Sequence, residues 1–136
     1  MKTFKTRIYE ADSTFFEGEL ESLVIPTSGG LYGVLADHRN VIVAIVPGEI
    51  KYRTKDGEEL YASVSEGMMR IENGDVLVLV NTAERPDEID EMRAKERAEE
   101  AKEKMLQKKS LQEYFQAEAT LRREMIRLRV KNHNLK

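Results

Sequence analysis

The chain has 136 residues, a formal net charge of −3, 35% charged residues and no cysteine. That length admits one domain or a small domain with an extension, and the missing cysteine excludes a disulfide framework and a Cys-based metal site. An acidic balance, with a pI near 5.6, argues against general nucleic-acid binding, which favours a net basic domain. The longest strongly apolar run, Val41 to Val46, is far short of the ~20 residues needed to cross a bilayer. The opening Met-Lys-Thr-Phe-Lys lacks the apolar core and cleavage site of a signal peptide. The expectation is a soluble, intracellular protein that reaches a membrane only through a partner.

Strand signals dominate the first 80 residues. Phe4 to Glu10 reads as an opening strand with Phe4 and Ile8 on one face. Phe15-Phe16 and Leu20 to Ile25 form a second region, stopped by Pro26 and Ser28-Gly29-Gly30. Leu31 to Leu35 and Asn40 to Val46 are separated by Ala36-Asp37-His38-Arg39, and Pro47-Gly48 turns the chain. Ile50, Tyr52 and Thr54 alternate out to Asp56-Gly57, a hairpin signal, and Leu60, Ala62 and Val64 return. Met69 and Ile71 follow Gly67, and Asn73-Gly74-Asp75 makes the last turn. Val76 to Val80 is expected to be a central strand buried on both faces. This spacing predicts an antiparallel sandwich or barrel of eight to ten short strands.

At Arg85-Pro86 the character changes. Some fifty residues follow without Pro or Gly, rich in Glu, Lys, Arg and Ala. Residues 1–83 carry 13 acidic and 8 basic side chains, net −5; the remaining 53 carry 12 and 14, net +2. Asp87 is expected to cap a first helix, with Pro86 stopping the preceding strand. Ala94, Ala98, Ala101 and Met105 make a thin apolar stripe on it. Ser110-Leu111-Gln112-Glu113 has capping-box spacing, which predicts a break at Lys109-Ser110. A second helix then offers Leu111, Tyr114, Leu121, Met125 and Leu128 on one side, interrupted by Glu118. The expected boundaries are 1–84 for a strand-built body and 85–136 for an antiparallel helical hairpin, an α+β organisation.

Few constellations carry chemistry. His38 and His133 are the only histidines, and neither has a nucleophile or orienting carboxylate at a telling spacing. Ser28-Gly29-Gly30 lacks the Lys-Ser/Thr and following helix of a phosphate loop. Asp90 and Arg93 share part of one helix surface, as do Arg123 and Arg127 on the other. In a hairpin the three arginines can converge on a triphosphate while Asp90 accepts from an amine or hydroxyl. On spacing alone, solvated surface charge is the leading reading of the same residues. Compact body and charged helical appendage suggest a binding and regulatory protein, not an enzyme; a free-standing adaptor presenting a hairpin is the alternative function.

Taken in order, the chain resembles the epsilon subunit of bacterial F-type ATP synthases. The resemblance rests on Phe16-Glu17-Gly18, Ile25-Pro26 with Gly29-Gly30, Gly33-Val34-Leu35 with His38, and Ala44 to Ile50. It continues through Val64-Ser65 with Gly67, Val76 to Ala83, Ile89-Asp90-Glu91-Met92-Arg93-Ala94 and Leu121 to Val130. It implies a β-sandwich of about ten strands followed by a two-helix hairpin. It implies a non-catalytic rotor subunit of a proton- or sodium-translocating enzyme, peripheral on the cytoplasmic side of the bacterial cell membrane. The implied partners are gamma and the c ring, met through Gly29, Gly30, Leu31 and His38. An extended hairpin would reach the alpha and beta subunits through Arg122 and Arg129 and inhibit ATP hydrolysis. No catalytic cofactor is implied; ATP is implied as a regulatory ligand of the folded hairpin, held by Glu84, Ile89, Asp90, Arg93, Ala94, Arg123 and Arg127. Three departures stand out: Ala36 to Asn40 lacks the family's flanking prolines, Glu66 replaces a glycine, and no basic residue matches around Glu99-Glu100.

Overall fold

The computed structural model describes residues 2–107 and 109–133. The chain divides into two compact units, Met1–Glu84 and Arg85–Lys136. The first holds nine strands: β1 (Phe4–Glu10), β2 (Ser13–Thr27), β3 (Gly30–Val34), β4 (Val41–Ile45), β5 (Gly48–Thr54), β6 (Glu59–Val64), β7 (Gly67–Glu72), β8 (Asp75–Val80) and β9 (Ala83–Glu84).

Strand β2 builds the sandwich. Its first half pairs with β1 and its second half with β3 and β5, so one strand serves both layers. A register shift between Leu20 and Ser22 marks the bend, the usual device for turning a strand from one layer into the next. The order runs β4-β7-β8-β1-β2-β5-β6-β9, with β3 on β2. Ile8, Met69, Ile71 and Val78 come from one layer and Leu23, Ile25, Ile50, Tyr52 and Ala62 from the other, all fully or nearly fully buried in a common core. Phe15 meets Tyr52 edge-on at 6.4 Å, a preferred aromatic geometry.

The nine strands among the described residues fall within the eight to ten expected. Two sequence-based expectations change. The sheet is not purely antiparallel: β1 runs parallel to β8, with Thr6 beside Val76 and Ile8 beside Val78. And β8 is not buried on both faces. Val76, Val78 and Val80 point inward, while Leu79 is 40% exposed. Its uninterrupted apolar text hides a period of two, the pattern of a sheet with one wet face.

The loop from Ala36 to Asn40, which has no proline, is held by its own side chains. Asp37 takes a left-handed φ of 66°, a conformation that Asp tolerates better than most residues. His38 Nε2 lies 3.0 Å from the Tyr32 hydroxyl and its Nδ1 2.8 Å from the Arg39 carbonyl. Asn40 Oδ1 accepts the Asn73 N–H at 2.9 Å, joining this loop to the turn before β8.

In the second unit a 3-10 turn, Pro86–Glu88, precedes α1 (Glu91–Gln107) and α2 (Leu111–His133). The turn is fixed at its start, where the Arg85 N–H donates to Glu88 Oε1 at 2.8 Å. Ser110 Oγ accepts the Glu113 N–H at 3.1 Å, so the expected cap of α2 is formed. The cap of α1 is Asp90, not Asp87: Asp90 Oδ1 accepts the Arg93 N–H at 3.0 Å. Pro86 explains the shift, because the turn it begins takes up Asp87 and delays the helix by one step.

Candidate functional site in the helical hairpin

The two helices run antiparallel, and two contacts set their register. Arg97 Nη1 lies 3.6 Å from Glu124 Oε1. Nearer the chain's end, Lys131 Nζ donates to the Pro86 carbonyl at 3.0 Å. This register sets Arg93 at about the level of Arg127, and Arg97 at the level of Arg123 and Glu124. Ala94, Ala98 and Ala101 are buried on α1, and Ala117 on α2. Small side chains on both sides let the helices approach closely.

The seam of α2 differs from the expected one. Leu111 and Met125 are 71% and 48% exposed. Tyr114, Leu121 and Leu128 are half-buried, and Ala117, Glu124, Ile126 and Val130 are buried. Glu118, the expected interruption, lies at the seam's margin and pairs with Arg122 at 3.2 Å. The actual interruption is Glu124, fully enclosed. Apolar spacing misplaced the seam because a buried carboxylate was not anticipated where a hydrophobe packs.

Arginine partners make that burial tolerable. Both Glu124 oxygens accept from Arg127 Nη1, at 2.7 and 2.9 Å, and Arg97 stands on the other side. A buried carboxylate without such donors would cost several kcal/mol. Arg97 and Glu124 were both missed from the sequence. The signal was present: Arg97 lies one helical turn beyond Arg93, and Glu124 lies three residues before Arg127.

A cleft of about 590 Å³ opens between the helices, lined by Arg97, Lys104, Lys109 and Arg123 with Glu100 and Glu113. Of the residues expected to hold a nucleotide, only Arg123 lines it. Arg93 and Arg123 are exposed. Ile89 and Ala94 are buried. Asp90 is engaged in capping and Arg127 is engaged by Glu124. Glu84 closes β9 in the first unit, beside Ser63. The folded hairpin therefore leaves Arg93 and Arg123 exposed and holds Arg127 against Glu124.

The capping role of Asp90 has a practical consequence. Asp90→Ala is expected to lower the hairpin's stability by about 1 kcal/mol, whereas Asp90→Asn keeps the cap and removes only the charge. Circular dichroism melting of the two variants separates these effects.

The expected partner residues fall into two groups. On the sandwich, Gly29 and Gly30 are exposed and Leu31 is 77% exposed. Gly30 has φ +119° with no neighbour where a Cβ would go, so its backbone requires glycine. His38 is half-buried by its local bonds. On α2, Arg122 is tied to Glu118, and Arg129 is exposed. Among the described residues no helix is long and apolar enough to cross a membrane.

A β-sandwich followed by a long-helix unit defines a class of ATP synthase subunits. Residues 3–86 match the β-sandwich domain of the ATP synthase delta/epsilon chain, and residues 87–132 match its long α-helix domain. The ATP synthase epsilon chain of Caldanaerobacter subterraneus subsp. tengcongensis is 38% identical over 129 residues, covering 95% of this chain and 94% of that one. The epsilon chain of Ruminiclostridium cellulolyticum is 36% identical, covering 97% and 98%. This chain belongs to the epsilon subunits of bacterial F-type ATP synthases. Its fold also matches a chain of the Euglena gracilis mitochondrial ATP synthase, with a TM-score of 0.83 at 22% identity, covering 98% of this chain and 82% of that one.

Proposed function

We propose that the chain is a non-catalytic rotor subunit. Its sandwich couples gamma to the c ring, and its hairpin brakes ATP hydrolysis. The exposed apolar side chains of the sandwich carry the first part: Leu31, Leu35 and Ile42 are 77%, 60% and 67% exposed. In this reading these exposed apolar side chains belong to the surface that meets gamma and the c ring. Gly29 and Gly30 set the start of the strand that bears Leu31. Membrane association follows from the partners, on the cytoplasmic side. Purification from native membranes is expected to recover gamma and the c ring with this chain. Recovery without them would favour a free-standing adaptor.

The brake is a two-state equilibrium between a folded hairpin and an extended one reaching the alpha and beta subunits through Arg122 and Arg129. ATP, bound by the folded hairpin alone, would draw the population away from the braking state by its differential affinity. Arg93 and Arg123 support this reading, since both present guanidinium groups to solvent on the folded hairpin. Titrating the full chain with ATP is expected to give saturable heat and a raised melting temperature. Arg123→Ala should reduce both by about tenfold in affinity, the scale of one lost charge-assisted contact to phosphate. No response at millimolar ATP would remove the sensor and leave the rotor role standing.

A further inference from the structure

We propose that Glu124 acts as an internal anion: its carboxylate occupies Arg127 and the neighbouring Arg97, and so sets how tightly the hairpin takes a triphosphate. The proposal deepens the nucleotide reading above and rests on it for its physiological meaning. Its physical basis is independent of that reading. Glu124 is the one charged side chain among the described residues that is buried, at 0% exposure. It sits in a seam otherwise lined by apolar side chains, Ala94, Ala98 and Ala101 on α1 and Ala117, Ile126 and Val130 on α2. Packing alone would be met by another apolar residue there. Instead the position holds a carboxylate with both oxygens bonded to Arg127 and one oxygen near Arg97.

Carboxylate and phosphate oxygens compete for the same guanidinium donors. An incoming phosphate must therefore displace Glu124 from Arg127 or do without it. It must also approach Arg97 beside a fixed negative charge, because Arg97 Nη1 lies 3.6 Å from Glu124 Oε1. That charge is enclosed, so water screens it little. The result is a hairpin closed by its own acid–base contact between α1 and α2, and a nucleotide threshold raised above what four neighbouring arginines (93, 97, 123 and 127) would otherwise give.

The test compares the full-length chain with Glu124→Gln, which keeps the shape and removes the charge. ATP and inorganic tripolyphosphate are titrated into each by calorimetry. The expected result is about a tenfold or greater gain in affinity for both ligands. A gain for tripolyphosphate alone supports the internal anion and overturns the nucleotide reading. Wild-type binding of ATP with no gain in Glu124→Gln overturns the internal anion and leaves the nucleotide reading. Absence of binding by either protein to either ligand overturns both. A purely structural role for Glu124 predicts loss, never gain. Helical content by circular dichroism checks folding. If Glu124→Gln loses it, Glu124→Ala continues the alanine seam with the best helix former and is judged by the same outcomes.

Discussion

Ending the chain at Glu84 is expected to leave an ATP synthase that assembles and stays coupled but hydrolyses ATP several-fold faster. The structural half follows from where the core lies. The continuous core runs from Phe4 to Ala83 and contains no residue of the helical unit. Its closing contacts, β9 pairing with β6 and the Ala83 N–H donating to Glu10 Oε2 at 3.1 Å, also lie within the sandwich. The truncated protein should therefore keep its strand signal and a cooperative melt. The functional half depends on the brake. Hydrolysis by complexes carrying the full or truncated chain is the measurement, and equal rates would end the assignment of inhibition to these helices while leaving the sandwich's role untouched.

The second large effect concerns Gly67. A Cβ built there would lie 1.9 Å from the Leu79 carbonyl oxygen and 2.8 Å from Val80 Cα, both backbone atoms of β8. Flexible side chains can move aside; a paired strand cannot without breaking its ladder. Gly67 is held from both sides, opposite Ile45 on β4 and Val80 on β8. Gly67→Ala is expected to destabilise the sandwich by about 3 kcal/mol, the upper range for overpacking, and to lower its melting temperature by roughly 15 °C. Gly29→Ala is the control. There the nearest atom is Thr27 Oγ1 at 4.0 Å, and the melt should scarcely move. At the neighbouring departure from the family pattern, the exposed Glu66 accepts a hydrogen bond from Asn81 Nδ2 at 2.6 Å.

Much of the fold was legible in the sequence because its signals are local. Asp56-Gly57 and Asn73-Gly74 mark turns that their own backbone requires, with φ of 84° at both glycines and 53° at Asn73. The alanine stripe of α1 and the Ser110 cap follow from helix periodicity and one side-chain hydrogen bond. What was not legible depends on distant partners. Nothing in Phe4 to Glu10 says that its neighbour on one side is a parallel strand near residue 76. Val76 to Val80 reads as apolar throughout, and only the finished sheet shows that Leu79 faces outward. The candidate site divides the same way. Motif spacing picks out Asp90, Arg93, Arg123 and Arg127, whereas the engagement of Asp90 as a cap and of Arg127 by Glu124 requires knowing which face of α2 turns inward. Glu124 itself looks like one more surface charge until its enclosure is seen.

The parallel pairing of β1 with β8 also shapes how the molecule is made. The first strand to leave the ribosome finds its partner among the last of the sandwich, so that half of the sheet cannot close until β8 has been synthesised. The helices need only each other's near neighbours in sequence, and contacts of that kind form fast. Stopped-flow refolding should accordingly show a rapid rise in helix signal followed by a slower strand phase. During that interval the early strands have open edges, which makes timely completion of β8 the step most exposed to misassociation.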